Sequence, residues 1–380
     1  MGIKGINKFL KTNLGIEDAF FTTYLNNFSG QRIAIDACGY FYQILSSSNK
    51  EVVLQMVDPL EEIDKDLVIY KSIERLVIFL SQLSSINIIP VFVWDGKKIK
   101  SKKKCQEKRI GIKDNILEKI NNARSELEGI NILLRTKQQI KEFRNLLTQY
   151  NNVNKEDMLF FKNLLGSLGF PSIQAINEGE KLCSNLATEG LVGAVWSVDT
   201  DNYALGTPLL ITSISEIDKD GDIIVNIVDL RIILRRLGKS HNWLIDFCIM
   251  CGCDFNENIP NIGPKKSYDL LMEHSFIDYI EDFNALVPKK DRKFEKEKFS
   301  KEECLDFLNY EECRDIFKFM PSGFNENEES LNFDFSSFET FLSENEDNLY
   351  NFLKKGADNL KNLNPKKLKL PLKKKKLNVS

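Results

Sequence analysis

The sequence predicts an α/β fold, a mostly parallel central sheet covered by helices on both faces. Three observations predict it. Short, continuous apolar segments recur at 32–36 (RIAID), 86–94 (INIIPVFVW) and 193–198 (GAVWSV). Stretches of helical periodicity separate them, as in chains that build parallel sheets buried on both sides. Each apolar segment also ends in, or runs directly into, an aspartate: Asp36, Asp95 and Asp199.

Taken in order, the first strand, 32–36, leads into a helical pattern from Tyr40, and a longer helix covers 65–85. The strand 86–94 follows. The next stretch, 97–165, is charged and helical with no core strand, and it is too long for an ordinary crossover. It reads as an inserted helical lid. After 193–198, the β-branched runs 208–214 and 222–228 add further strands, and 240–360 reads mostly helical. Low complexity is confined to an acidic, Asn-rich patch around 325–347 and to the lysine-rich end.

Composition narrows the chemistry. With 380 residues, 42% hydrophobic and 28% charged, the chain has enough apolar material for a packed core in one large or two medium domains. No apolar run approaches membrane-spanning length, and MGIKGINKFL lacks the apolar core of a signal peptide. Only two histidines occur, His241 and His274, so metal or acid–base chemistry must lean on carboxylates. The eight cysteines read as reduced thiols. Cys248, Cys251 and Cys253 invite a zinc reading, but no second pair or nearby histidine completes four ligands. The alternative is a buried, Cys-rich helix end.

Charge is unevenly distributed. Seven lysines fall within 366–376, and without them the net charge of −3 becomes −10. A basic tail on an acidic body suits nucleic acid or an import receptor. A second basic run places Lys97, Lys98, Lys100, Lys102, Lys103, Lys104, Lys108 and Arg109 against the single acid Glu107. That density exceeds what a solvated helix face needs and points to phosphate binding.

The acids form a pattern of their own. In open α/β sheets ligands bind beyond the carboxyl ends of the strands, so Asp36, Asp95 and Asp199 are expected to converge. Glu178 and Glu180 (AINEGEK), Asp201 (SVDTD) and Asp254 (GCDF) add to them. Clustered carboxylates raise one another's pKa. Hard divalent cations such as Mg²⁺ or Mn²⁺ relieve that repulsion, and a pair of them is the usual apparatus for phosphodiester hydrolysis. A single D-x-D or E-x-E is weak evidence; three strand-end aspartates with two such pairs are stronger.

Five blocks then resemble one family, the flap endonuclease and XPG-type structure-specific nucleases. They are MGIKGINKFL, IAIDACGYFYQ (34–43), PVFVWDGK (90–97), INEGEKLCSNLATEGLVGAVWSVDTDNYALG (176–206) and CGCDFNENIPNIGPKKSYDLL (251–271). FLSENEDNLYNFLKKGADNL (341–360) is similar to the family's last core helices. The resemblance covers roughly residues 1–360 and implies a PIN-like 5′ nuclease core with a helical lid and a helix–two-turn–helix region.

By that resemblance, Asp36, Asp95, Glu178, Glu180, Asp199, Asp201 and Asp254 are the seven acids that hold two Mg²⁺ ions, with Mn²⁺ as a substitute. Lys102 and Arg109, two helical turns apart, reach the scissile phosphate. Tyr42 matches an aromatic that stacks on a terminal base; a core Tyr is the alternative. Gly2 matches a residue whose freed amine packs near the site. NIGPKKS (261–267) matches the helix–two-turn–helix, which holds a monovalent cation on backbone carbonyls and grips duplex phosphates. There Gly263 permits the turn, Pro264 suits a first helical position, and Lys265 and Lys266 add charge. The implied domains are 1–96 and 166–360 for the core, 97–165 for the lid, and 361–380 for a basic tail.

Two departures stand out. Gly179 occupies a position where the family usually has Ala, at a cost in helix propensity. No Q-x-x-apolar-x-x-aromatic-aromatic segment occurs near the C-terminus, so a sliding-clamp partner is not supported. The resulting expectation is a monomeric, nuclear, metal-dependent 5′ endonuclease that cuts branched or flapped DNA in replication and repair. The alternatives are a 5′–3′ exonuclease with the same site and a non-catalytic DNA-binding scaffold.

Overall fold

The computed structural model describes residues 2–151, 153–283, 299–325 and 327–333. In chain order its elements begin α1 (Ile6–Lys8), β1 (Phe20–Tyr24), β2 (Arg32–Asp36), α2 (Ala37–Gln55), α3 (Lys65–Ser85) and β3 (Ile89–Trp94). Next come α4 (Lys103–Glu128), α5 (Lys137–Gln149), α6 (Lys155–Ser167), β4 (Ser172–Gln174), α7 (Gly179–Thr188), β5 (Ala194–Trp196) and α8 (Asp201–Leu205). The chain continues through β6 (Leu209–Ile217), β7 (Ile223–Asp229), α9 (Leu230–Leu237), α10 (His241–Cys251), α11 (Pro264–His274), α12 (Lys301–Leu308) and α13 (Tyr310–Phe317). The acidic patch beyond Phe333, the 341–360 segment and the basic tail lie outside the described residues.

The seven strands form one sheet in the order β1-β7-β6-β5-β2-β3-β4. Five of them, from β6 to β4, pair in parallel, and β7 and β1 extend the sheet antiparallel. This agrees with the expected mostly parallel sheet. Two strands had no clear signal in the sequence. β1 (FFTTY) carries no fully buried residue, so the apolar continuity of a core strand is missing. β4 has only three residues.

β2 is the middle of the five parallel strands, between β3 and β5, and four of its five residues are buried. Its Ile33, Ala34 and Ile35 pair with Ala194, Val195 and Trp196 on one side and with Pro90, Val91 and Phe92 on the other. Parallel strands buried on both faces require this unbroken apolar character. Two strand-end acids, Asp36 and Asp95, therefore emerge side by side at one edge of the sheet, because β2 and β3 run in the same direction.

The described residues divide into two compact units. One comprises 2–40, 87–111 and 172–332, and holds the whole sheet. Its core joins the sheet to α10 and α11 through Leu244, Phe247, Ile249, Leu270 and Leu271. The other comprises 41–86, 112–171 and Phe333, with a small core of Val53, Ile120, Leu127, Phe143 and Leu147. Helix starts carry their own caps. The Thr136–Gln139 pair opens α5, Asn154–Asp157 opens α6 and Ser300–Glu303 opens α12, each satisfying otherwise orphaned amides. Among the described residues no helix is long and apolar enough to cross a membrane.

Candidate metal centre

All seven predicted acids belong to the unit that holds the sheet. Asp36 is the last residue of β2, and its Oδ1 accepts the Gly39 amide at 3.1 Å. Asp95 follows β3, and its Oδ1 accepts the Gly179 amide at 2.8 Å. Glu178 directly precedes α7 and Glu180 lies in its first turn. Asp199 follows β5; its amide bonds Ser197 Oγ at 3.1 Å, and its Oδ1 accepts the Asp201 amide at 3.1 Å. Asp201 opens α8, and Asp254 follows α10.

Glu180, Asp199 and Asp201 each bring a carboxylate oxygen within 4.8 Å of the others. Such crowding is costly. Burial pushes the Asp36 carboxyl up to about 7, with the Asp95 and Asp199 charges adding to the rise. Burial first, then neighbouring charges led by Asp199, raises Glu180 and Asp201 well above the carboxylate range. Asp199 is raised as well, mainly by burial, although the Asp201 amide opposes it. Asp201 Oδ1 is buried without a hydrogen-bond partner. An all-oxygen donor set, an orphaned carboxylate oxygen and mutual repulsion together fit a hard divalent cation. The residues present therefore suit a metal of the Mg²⁺ type.

The basic run supplies the counter-charge. Lys102 closes a 3₁₀ turn, Lys100–Lys102, and α4 begins one residue later. Its ammonium bonds Glu178 and stands 3.8 Å from Asp254. Burial alone would lower the Lys102 pKa; Glu178, Glu180 and Asp254 overcome it and raise it. Arg109 Nη2 lies 2.6 Å from Asp254 Oδ2. The two residues predicted to share a direction do reach one patch of carboxylates, although Lys102 lies just outside the α-helix proper.

The remaining predicted residues divide. Gly2 sits beside Asp199 in a left-handed conformation, φ 76°, where a Cβ would overlap Asp199, the Asp201 amide and Thr200. Tyr42 is exposed on α2, so it is not a core residue. α10 and α11 supply the two expected helices, with Pro264 as the first residue of α11. The turn does not depend on Gly263, which is extended at φ −112°. The left-handed residue is Asn261 at φ 63°, a side chain that tolerates that region. Lys265 pairs with Asp269 at 3.5 Å, and Lys266 donates to the Asn261 carbonyl at 2.9 Å. Cys248, Cys251 and Cys253 are buried, and among the described residues the one cluster with ligand geometry is the carboxylate group. These cysteines lie at and just after the C-terminal end of α10.

Sequence reasoning missed three participants. The Gly39 and Gly179 amides orient Asp36 and Asp95; Gly39, three residues after Asp36, was the available signal, whereas Gly179 lies 84 residues from Asp95 and gave none. Cys105 donates to Asp254 Oδ1 at 3.5 Å, and its spacing of four from Arg109 could have revealed the shared face.

Comparison with known proteins bears on all of this. Residues 1–116 match the XPG N-terminal domain and residues 169–254 the XPG I-region. All seven acids, Lys102 and Arg109 fall inside these segments. A "Flap endonuclease 1" of Heterostelium pallidum is 28% identical over 320 residues, 84% of this chain and 74% of that protein. A "Flap endonuclease 1" of Saccharomyces cerevisiae is 30% identical over 287 residues, 74% of this chain and 68% of that protein. The fold is similar to the catalytic core of Rad2 in complex with DNA substrate, with a TM-score of 0.56 at 18% identity over 93% of this chain and 97% of that chain.

Proposed function

This chain belongs to the XPG and flap endonuclease family of metal-dependent nucleases, and from that premise we propose that it is a structure-specific 5′ endonuclease acting on branched or flapped DNA in replication and repair. The observation that carries the reading is the pairing of a crowded, buried carboxylate cluster with two cations from α4 and its leading turn.

In this reading Asp36, Asp95, Glu178, Glu180, Asp199, Asp201 and Asp254 hold two Mg²⁺ ions. Bound there, the ions would supply an activated water and charge stabilisation at the scissile phosphate. The protein's own contribution is electrostatic and positional. The Gly39 and Gly179 amides hold two carboxylates in orientation. Lys102 and Arg109, already paired with Glu178 and Asp254, turn toward the phosphate oxygens when DNA enters and stabilise the charge that develops there. No side chain is required as a general base.

The α10–α11 pair binds duplex phosphates through Lys265 and Lys266, with a monovalent cation on the turn. Tyr42 stacks on a terminal base. The 97–165 segment forms the lid, and the 366–376 lysines direct the protein to the nucleus. The chain works as a monomer.

The test is cleavage of a 5′-flapped duplex in Mg²⁺ and in EDTA. Incision at the junction in Mg²⁺ alone is the expected result. Release of mononucleotides from blunt ends without junction incision turns the reading to an exonuclease. No cleavage of any branched duplex leaves the DNA-binding scaffold.

A further inference from the structure

The first turns of α4 have no apolar anchor. The buried residues of this 26-residue helix are Ile120 and Leu127, both in its later half. Whatever fixes the rotation of residues 103–111 must therefore be polar.

Two acids in the turn after α10 supply that hold. Asp254 takes Arg109 at 2.6 Å, the Cys105 thiol at 3.5 Å and Lys102 at 3.8 Å. Glu257, three residues later, takes Lys108 at 3.2 Å and Lys104 at 3.7 Å. At about 100° per residue, Lys104 and Lys108 form one row on α4, and Cys105 and Arg109 form a second row roughly 100° around the helix. The two acids thus grip adjacent rows, and rolling α4 by one residue would break both grips.

The platform beneath is rigid. Asn256 accepts the Cys253 amide at 2.8 Å and donates to the Ile249 carbonyl at 2.8 Å and the Leu308 carbonyl at 3.1 Å. The Glu257 amide itself bonds the Phe307 carbonyl at 2.9 Å. An acid on a fixed turn facing two lysines on helical turns that bury no apolar side chain sets the rotation of those turns more effectively than it adds stability, because partly exposed ion pairs are individually weak.

We infer that Glu257 is a positioning residue for cleavage: through Lys104 and Lys108 it sets the rotation of the α4 base and so aims Arg109 and Lys102 at the carboxylate site. The inference rests on the nuclease reading above. Glu257 acts through α4 and needs no contact with substrate.

The test uses the full chain and a double-mutant cycle between Glu257→Gln and the pair Lys104→Gln with Lys108→Gln. Three quantities are read: the single-turnover rate on flapped DNA at saturating enzyme, the DNA Kd in EDTA, and the alkylation rate of Cys105 by iodoacetamide without DNA or metal. Cys105 and Cys38 are partly exposed and the other six cysteines are buried, so Cys38 serves as the reference. Glu257→Gln should slow the single-turnover rate about fivefold, on the scale of two partly exposed ion pairs. Its DNA Kd should stay within about twofold, and Cys105 alkylation should accelerate relative to Cys38.

Acting through the lysines, Glu257→Gln should add nothing to the rate loss of the lysine pair. Additive rate effects, or wild-type cleavage with unchanged Cys105 alkylation, overturn the assignment. Tighter DNA binding with faster cleavage also overturns it, making Glu257 a screen over two lysines. If the wild-type chain cuts no flap, the nuclease reading fails, while Cys105 alkylation still decides whether Glu257 holds α4.

Discussion

The amide of Gly179 donates to Asp95 Oδ1 at 2.8 Å, and a Cβ on Gly179 would stand only 3.1 Å from that same oxygen and 3.2 Å from the Val93 carbonyl oxygen. The residue between the paired glutamates is thus both a donor to the third acid and a spacer against it. Alanine fits after a shift of a few tenths of an ångström; a branched side chain does not. Gly179→Ala should keep wild-type cleavage. Gly179→Val should weaken Mg²⁺ half-saturation by roughly 10- to 100-fold, the range for residues that orient metal ligands. A Mg²⁺ titration of the single-turnover rate checks this, and an unchanged half-saturation in the valine variant would remove Gly179 from the orientation of Asp95.

Asp201 combines burial, an unpartnered Oδ1 and close carboxylate neighbours. Asp201→Ala and Asp199→Ala should each abolish cleavage while DNA affinity in EDTA stays near wild type. The loss should exceed the roughly 100-fold upper range for orienting residues, because a ligand itself is removed. Cleavage within about tenfold of wild type in saturating Mg²⁺ would exclude the residue as a ligand.

Lys102→Ala with Arg109→Ala should slow the chemical step far more than it weakens binding. Affinity for a long duplex is spread over many phosphates, so losing two contacts changes the salt slope by at most about two units. Stabilising donors at a reacting centre are worth about 2.7–4 kcal/mol each, and two that share one phosphate need not add. Single-turnover rates at saturating enzyme separate the cases. A double mutant that binds weakly but cuts at full rate would make these residues part of an ordinary basic face.

Arg314 makes a double bond pair to Asp246 at 2.7 and 2.6 Å, and another to Asp278 at 3.2 and 2.6 Å. Asp246 is fully buried on α10 and also accepts the Ile277 amide at 3.0 Å. Arg314→Met would strand that carboxylate and should cost about 3–5 kcal/mol. Asp278 carries the pH signature, because the Arg314 hydrogen bond holds its carboxyl below the usual range. Such a group adds stability above its unfolded pKa, about 3.9, and loses it as pH falls through the lower folded value. The stability gap between wild type and Arg314→Met should therefore narrow below about pH 4. Urea melts across that range decide it; a gap that widens toward acid would contradict the assignment.

Much of the site could be read in the sequence because strand ends are local features. RIAID and PVFVW fix where Asp36 and Asp95 emerge, and adjacent parallel strands bring them together. What escaped is set by long-range partners or by conformation. Asp246 and Arg314 are distant in sequence and share no motif. Glu257 gains its meaning from two lysines on α4. Asn261, rather than Gly263, takes the left-handed turn position, because glycine next to a helix-starting proline can equally be extended. β1 hides because it is an edge strand with exposed residues on both faces and no buried one.

The central place of β2 has a consequence for how the molecule is made. Ile33 must wait for Ala194 before its second edge is covered. At about 5–20 residues per second, a ribosome takes roughly 8 to 32 s to synthesise the intervening chain. Through that interval a strand with an apolar centre, Ile33 to Ile35, has an open hydrogen-bonding edge, and pairings this distant are slow to close. The same delay separates Asp36 from Asp199, so the nascent chain carries neither an assembled carboxylate cluster nor cutting activity until β5 has docked. Nuclease competence thus waits on the second half of the chain, and a chain stalled before residue 194 would lack Asp199, Asp201 and Asp254 while leaving one edge of β2 open to aggregation.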